Sequence, residues 1–356
     1  MSRPRFDLWR YAASYAPQLP EAAWLSLGEG WTPTLELPRL AARLGLERLV
    51  LKREDLSPTG SHKARGLAFQ VSALRWARPE LGWILISSSG NAAIAAAAYG
   101  RLAGLGVAAF VSPETPPGKL ARLLRAGATI LASPSALTDA VALSAARDIP
   151  NLRPSTDPLA VEGFQSIAWE LLEVIEPVEA VFSFASSGTS FVALGRGFAL
   201  GERVTGQGWR PALHAVQGVG QAPIVAELDP RPQPDRPGRV GALGARKTRR
   251  LGEARRIIQA SGGWGWAIQD AEADAALAQL AELGIETSLE GGAALAAAAR
   301  AARERGIRSA AVILSGQRVP TADDFALSSH ASIHAVRGPD EAAAVLERLS
   351  PPGGWA

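Results

Sequence analysis

The chain has 356 residues, 47% of them hydrophobic and 20% charged, the balance of an ordinary soluble α/β protein long enough for two lobes and a sizeable core. It has no cysteine, which excludes disulfides, thiol catalysis and cysteine zinc sites. Basic and acidic residues nearly balance, 37 against 34, and the one basic concentration, 246–256, reads as a solvated helix face, so no nucleic-acid partner is expected.

The start, MSRPRFDLWRYAASYAPQLP, has arginines but no continuous apolar stretch before a small-residue cleavage site, unlike a signal peptide. Apolar runs such as 92–98 and 310–314 fall far short of the roughly 18 residues needed to cross a bilayer. A cytoplasmic protein without a membrane partner is expected. Strands are predicted at 49–52, 83–87, 107–111, 129–132, 180–184, 212–217 and 310–315. Helices are predicted at 63–76, 91–103, 117–126, 163–175, 191–200, 271–283, 293–305 and 340–349. This βα alternation with short Gly- and Ser-containing links argues for open, mostly parallel sheets flanked by helices. The proline-rich PRPQPDRPG at 230–238 reads as a surface loop.

Loops that follow a strand and open a helix lie at the carboxyl edge of a parallel sheet, the usual ligand position. Three of them are rich in small polar residues. Ser57-Pro58-Thr59-Gly60-Ser61-His62-Lys63 places a lysine in a helix's first turn, where the positive end of the dipole and a dry cleft favour the uncharged, nucleophilic amine. Taken alone, a lysine is more often a solvated surface residue. Ser87-Ser88-Ser89-Gly90-Asn91 offers amides and hydroxyls to a carboxylate, or serves as plain N-capping. Ala185-Ser186-Ser187-Gly188-Thr189-Ser190 suits a phosphate. The scattered histidines, of which only His330 and His334 share helical spacing, give no reason to expect a metal. Gly218-Val219-Gly220 lacks the third glycine of a dinucleotide fingerprint.

Together these segments resemble a known family. LKREDLSPTGSHKARG resembles the lysine segment of fold-type II pyridoxal-phosphate enzymes, and SSSGN before an alanine helix resembles their asparagine loop. LGEGWTP, EGFQSIAWELLE, VQGVGQAPIV, SLEGGAALAAAA and VILSGQ extend the similarity, in the threonine synthase pattern, over about residues 8–320. The resemblance implies pyridoxal 5'-phosphate in a cleft between two α/β lobes, a large one of residues 1–79 plus 156–356 and a small substrate-side one of 80–155. Lys63 is then the catalytic residue and the Schiff-base lysine. Asn91 meets the ring hydroxyl, Ser187, Gly188 and Thr189 hold the phosphate, and Ser315 faces the pyridine nitrogen. Ser88, Ser89 and Gly90 take the substrate carboxylate, and Glu290 helps order the site.

The implied activity is that of a lyase converting O-phosphohomoserine and water to L-threonine and phosphate. Alternatives are a threonine or serine dehydratase or related ammonia-lyase of the same fold, and a catalytically idle paralogue that binds the cofactor or an amino acid. The resemblance implies an amino-acid substrate and allows a homodimer, which no residue pattern fixes. The chain departs from the family at several points. Ala160 in DPLAVEG stands where the family has an arginine for the substrate phosphate, and SHKAR replaces SFKDR, with His62 and Ala64. Arg153 or the 246–250 cluster is a candidate source of the missing charge. His62 is either a second acid/base or a residue packed beneath the cofactor.

Overall fold

The computed structural model describes residues 5–231, 234–318 and 333–351. In chain order the strands are β1 (Thr34–Glu36), β2 (Arg48–Lys52), β3 (Trp83–Ser87), β4 (Gly106–Val111), β5 (Thr129–Ala132), β6 (Ala180–Phe184), β7 (Ala212–Gly218), β8 (Gly265–Ile268), β9 (Ser309–Ile313) and β10 (Ile333–Ala335). The α-helices are α1 (Ala12–Tyr15), α2 (Pro38–Leu44), α3 (Lys63–Ala77), α4 (Asn91–Leu102), α5 (Pro117–Arg125), α6 (Ala136–Arg147), α7 (Leu159–Val174), α8 (Thr189–Thr205), α9 (Leu251–Ala260), α10 (Asp270–Ala281), α11 (Leu289–Arg305) and α12 (Pro339–Arg348). None of them is long and apolar enough to cross a membrane.

The chain divides into two compact units. One comprises the N-terminal stretch to Ser14 with Gly30–His62 and Phe164–Arg318; the other holds Tyr15–Glu29, Lys63–Gly163 and the C-terminal segment carrying β10 and α12. The first unit contains a six-stranded sheet in the order β1-β2-β9-β6-β7-β8, parallel except for the β1–β2 pair. β6 is buried along its whole length, as expected of a parallel strand covered on both faces. Leu49, Leu51, Phe182, Val216, Trp266 and Val312 meet the alanines of α11 in one core. Small side chains let that helix lie close: a β-carbon on Gly292 would come within 2.6 Å of Leu277.

The second unit contains a parallel four-stranded sheet, β10-β5-β4-β3. Leu85, Phe110 and Leu131 pack there against Leu143 of α6 and Leu346 of α12. This unit reaches beyond the 80–155 span expected for a small lobe. It takes in α3, which lies along α4, and residues 15–29, where the Leu25 N–H donates to Ser72 Oγ at 3.0 Å. A β-carbon on Gly163 would collide with the Arg65 carbonyl, so the glycine of EGFQ is required by the close approach of its backbone to α3. Three helices start two or more residues earlier than predicted: α7 at Leu159, α8 at Thr189 and α11 at Leu289. β9 ends at Ile313, which leaves Ser315 in the segment beyond the strand.

Buried charge in the first unit is paired. Lys52 and Glu170 are 1% and 0% exposed, with Nζ 2.7 Å from Oε2, and the same ammonium donates to the Thr32 carbonyl at 2.7 Å. Removing one partner strands the other in a low dielectric, whereas replacing both with apolar groups does not. Glu170→Leu is expected to cost about 3–5 kcal/mol in urea unfolding, and Lys52→Met combined with Glu170→Leu far less; equal losses would contradict an ion pair.

His214 is also buried, with Trp266 Nε1 donating to its Nδ1 at 2.8 Å. Burial, followed by the positive charge of Arg305, pushes its pKa down from 6.5 to about 3. The unfolded chain therefore binds a proton below 6.5 that the folded chain refuses until about 3. The resulting contribution to stability is complete above the unfolded value and is lost as pH falls toward the folded one, at up to about 1.4 kcal/mol per pH unit. His214→Gln is expected to flatten that part of the stability–pH curve in denaturant titrations, and an unchanged slope would assign the acid sensitivity to other groups.

Candidate active site

The loop that delivers Lys63 is fixed by backbone bonds. After β2 the chain makes a short 3-10 turn, Glu54–Leu56, and Lys63 opens α3. The Asp55 N–H donates to the Leu314 carbonyl at 2.8 Å, the His62 N–H to the Ser315 carbonyl at 3.0 Å, and the Gln317 N–H returns a bond to the Gly60 carbonyl at 2.9 Å. Gly60 has φ +74°, and a side chain there would collide with the Gln317 amide. The left-handed backbone and the close approach both require glycine. His62 Nδ1 lies 2.8 Å from the same Ser315 carbonyl. Because a carbonyl only accepts, Nδ1 carries the hydrogen. His62 is buried, its ring 5.4 Å from that of Phe164. It thus anchors the loop. Lys63, the next residue, is half-buried.

The same short segment organises the start of α11. The Ser288 N–H and Thr287 Oγ1 donate to the Gly316 carbonyl at 2.7 and 3.0 Å, and Ser288 Oγ caps the helix by accepting from the Gly291 N–H. Glu290 is the second residue of this helix and half-buried, a position that the helix dipole favours for a carboxylate. Ser315 is 7% exposed.

Between β6 and α8 lies an anion-binding geometry. Gly188 is the N-cap of α8, with φ +81° and no side chain to cap the helix. A β-carbon there would meet Ile224 Cδ1 at 3.1 Å and Arg250 Cβ at 3.3 Å. The hydroxyls of Ser187 and Thr189 are 3.1 Å apart. Ser186 Oγ donates to the Leu243 carbonyl at 2.7 Å and Thr248 Oγ1 to the Ser187 carbonyl, so the loop is held from behind. Amides at a helix start, two hydroxyls and the positive end of the dipole favour a phosphate.

In the second unit, Ser88, Ser89, Gly90 and Asn91 are half-buried at the junction of β3 and α4. Gly90 is the N-cap, again without a side-chain cap, and a β-carbon there would meet nothing within 4 Å. The Gly90 N–H donates to Ser88 Oγ at 3.2 Å. Arg122, on α5, donates to Asn91 Oδ1 at 3.5 Å. It is buried, which its sequence context LARLLR did not reveal. Ala160 is fully buried and Arg153 half-buried. The structure thus places Ser187, Gly188, Thr189, Glu290 and Ser315 in the first unit, and Lys63, Ser88, Ser89, Gly90 and Asn91 in the second, whose central segment starts at Lys63 directly after His62. His330, of the spaced histidine pair, lies outside the described residues.

Threonine synthase from Methanosarcina acetivorans is 29% identical over 298 residues, covering 79% of this chain and 71% of that protein. Threonine synthase from Synechocystis sp. is 32% identical over 232 residues, covering 61% of this chain and 59% of that protein. The chain therefore spans well short of the full length of these relatives. Among solved structures, the processed form of threonine deaminase isoform 2 from Solanum lycopersicum superposes with a TM-score of 0.71 at 19% identity, covering 88% of this chain and 86% of that one. Maize serine racemase gives 0.69 at 17% identity, covering 90% and 95%. At such identities the likeness speaks to fold, and the fold is that of fold-type II pyridoxal-phosphate enzymes. A family model described as pyridoxal-phosphate dependent enzyme matches residues 25–316, and the chain belongs to that family.

Proposed function

We propose that the protein is a lyase of the threonine synthase type, converting O-phosphohomoserine and water to L-threonine and phosphate. The observation that carries the reading is the loop clamped to Leu314–Gln317, which presents Lys63 at the start of α3 in a chain whose relatives by sequence are threonine synthases. The residues present suit the cofactor: an uncapped helix start with two hydroxyls for its phosphate, and the hydroxyl of the largely buried Ser315 for a ring nitrogen. Bound there, the cofactor supplies an electron sink for negative charge at the substrate Cα.

The chain's own residues do the rest. Ser187, Gly188 and Thr189 hold the cofactor phosphate, Ser315 faces the pyridine nitrogen, and Asn91 meets the ring hydroxyl. Lys63 would anchor the cofactor, and its amine is the group that would accept the substrate Cα proton. A hydroxyl, unlike a carboxylate, does not hold the ring nitrogen protonated, which favours elimination and replacement over transamination. Ser88, Ser89 and Gly90 bind the α-carboxylate through hydroxyls and helix-start amides, and Glu290 orders the site from the start of α11. His62, committed to the Ser315 carbonyl through Nδ1, supports Lys63 by position.

A second reading is a threonine or serine dehydratase, favoured by the buried, uncharged Ala160, because that reaction needs no site for a substrate phosphate. Cofactor-loaded protein is expected to release phosphate from O-phosphohomoserine with formation of threonine, and Lys63→Ala to lose about a thousandfold or more of this rate. Coupled phosphate release and visible absorbance check both. Retained activity in Lys63→Ala would sink the reading, and turnover of L-threonine or L-serine alone would move it to the dehydratase.

A further inference from the structure

We propose that Arg122 is a specificity-determining residue that receives a second anionic group, a phosphate or a carboxylate, on the side chain of the amino-acid substrate. The inference rests on the reading that residues 88–90 hold the substrate's α-carboxylate, and it gives the substrate's class: an amino acid charged at both ends.

Arg122 carries an uncompensated charge. As a residue it is 9% exposed, and a guanidinium largely withdrawn from water is retained at little cost only when a carboxylate or a set of acceptors replaces its hydration. Two other deeply buried cations follow that rule: Lys52 is 2.7 Å from Glu170, and Arg300 is 2.9 Å from Asp229. Arg122 has no such partner. Among the described residues its one polar contact is Asn91 Oδ1 at 3.5 Å, the outer limit of a hydrogen bond and a neutral acceptor. Burial alone acts on its pKa, lowering it, in keeping with the absence of a nearby negative charge.

The surroundings point the same way. Asn91 opens α4 directly after the 88–90 loop, so the guanidinium lies at the substrate end of this unit. Ser87, the last residue of β3, has a buried hydroxyl without a partner, and so do both amide atoms of Asn151, which bridges to β3 at Leu85. A guanidinium without a carboxylate partner, a hydroxyl and an amide are donors of the kind that a phosphate or carboxylate takes. A plain structural arginine in the same place would have its carboxylate already.

The test uses cofactor-loaded wild type, Arg122→Gln and Arg122→Lys, with dissociation constants from absorbance titrations of O-phosphohomoserine, L-glutamate, L-threonine and inorganic phosphate. Arg122→Gln is expected to weaken O-phosphohomoserine and phosphate by roughly 10- to 100-fold, the worth of a charge-assisted hydrogen-bonded pair, with Arg122→Lys in between and L-threonine losing far less. The same Arg122 dependence for L-glutamate in place of O-phosphohomoserine would make the second group a carboxylate. Equal weakening of L-threonine and the anionic ligands, or weakening of none, would overturn the proposal. Wild type that releases no phosphate yet binds an anionic amino acid through Arg122 would sink the synthase reading and leave this one standing; wild type that binds none of the amino acids would sink both.

Discussion

The first unit's chemistry depends on how the backbone is satisfied just beyond β9. A strand that ends inside a protein leaves amides and carbonyls that cost more unpaired than they contribute when bonded. Here Leu314 bonds to Lys52 and Asp55, Ser315 accepts from His62, Gly316 accepts from Ser288, and Gln317 donates to Gly60. Two loops that are far apart in sequence, one leading to Lys63 and one to Glu290, are therefore set by the same four residues. Each bond contributes only about 1 kcal/mol net, but they act on consecutive residues. A shift of one loop would break several at once.

The loop at 185–189 is built on a different principle. It has no tight backbone ladder at its tip. Its shape comes from Gly188 in a left-handed conformation, which turns the chain from β6 into α8 and leaves the helix start without a side-chain cap. Groups left unsatisfied at a helix N-terminus are a cost to the free protein and a binding site for an anion. The lysine loop is held by backbone bonds to 314–317, whereas the 185–189 loop is held from behind by Leu243 and Thr248 and ends in a helix start without a side-chain cap.

These two features differ in how far they could be read from the sequence. The three small-polar loops stand out because each joins a short apolar run to a helical stretch, and their placement at strand ends follows from the parallel topology. Glycines inside SLEGG mask the early start of α11, where packing against Leu277 and Thr287 outweighs poor helix propensity. The grouping of α3 with the second unit is also hidden, since it rests on non-local contacts such as Leu25 with Ser72. The burial of Arg122 is not legible at all. Two arginines three apart in LARLLR read as one solvated helix stripe, and only the fold shows that Arg122 is covered while Arg125 is exposed.

The contrast between Lys52 and Arg122 separates two uses of buried charge. Lys52 is neutralised by Glu170 within the unit, so its desolvation is offset once, on folding, and it stays inert afterwards. The cost of burying Arg122 is not offset by any carboxylate among the described residues, and the free protein carries it as a standing destabilisation. That cost is returned only when an anion arrives, so it adds to the preference for anionic over neutral ligands. A neutral amino acid of the same shape would leave the guanidinium as unsatisfied as before. Discrimination of this kind is strong because its source is the penalty of an unpaired buried group in the wrong complex, which exceeds what one more hydrogen bond adds to the right one.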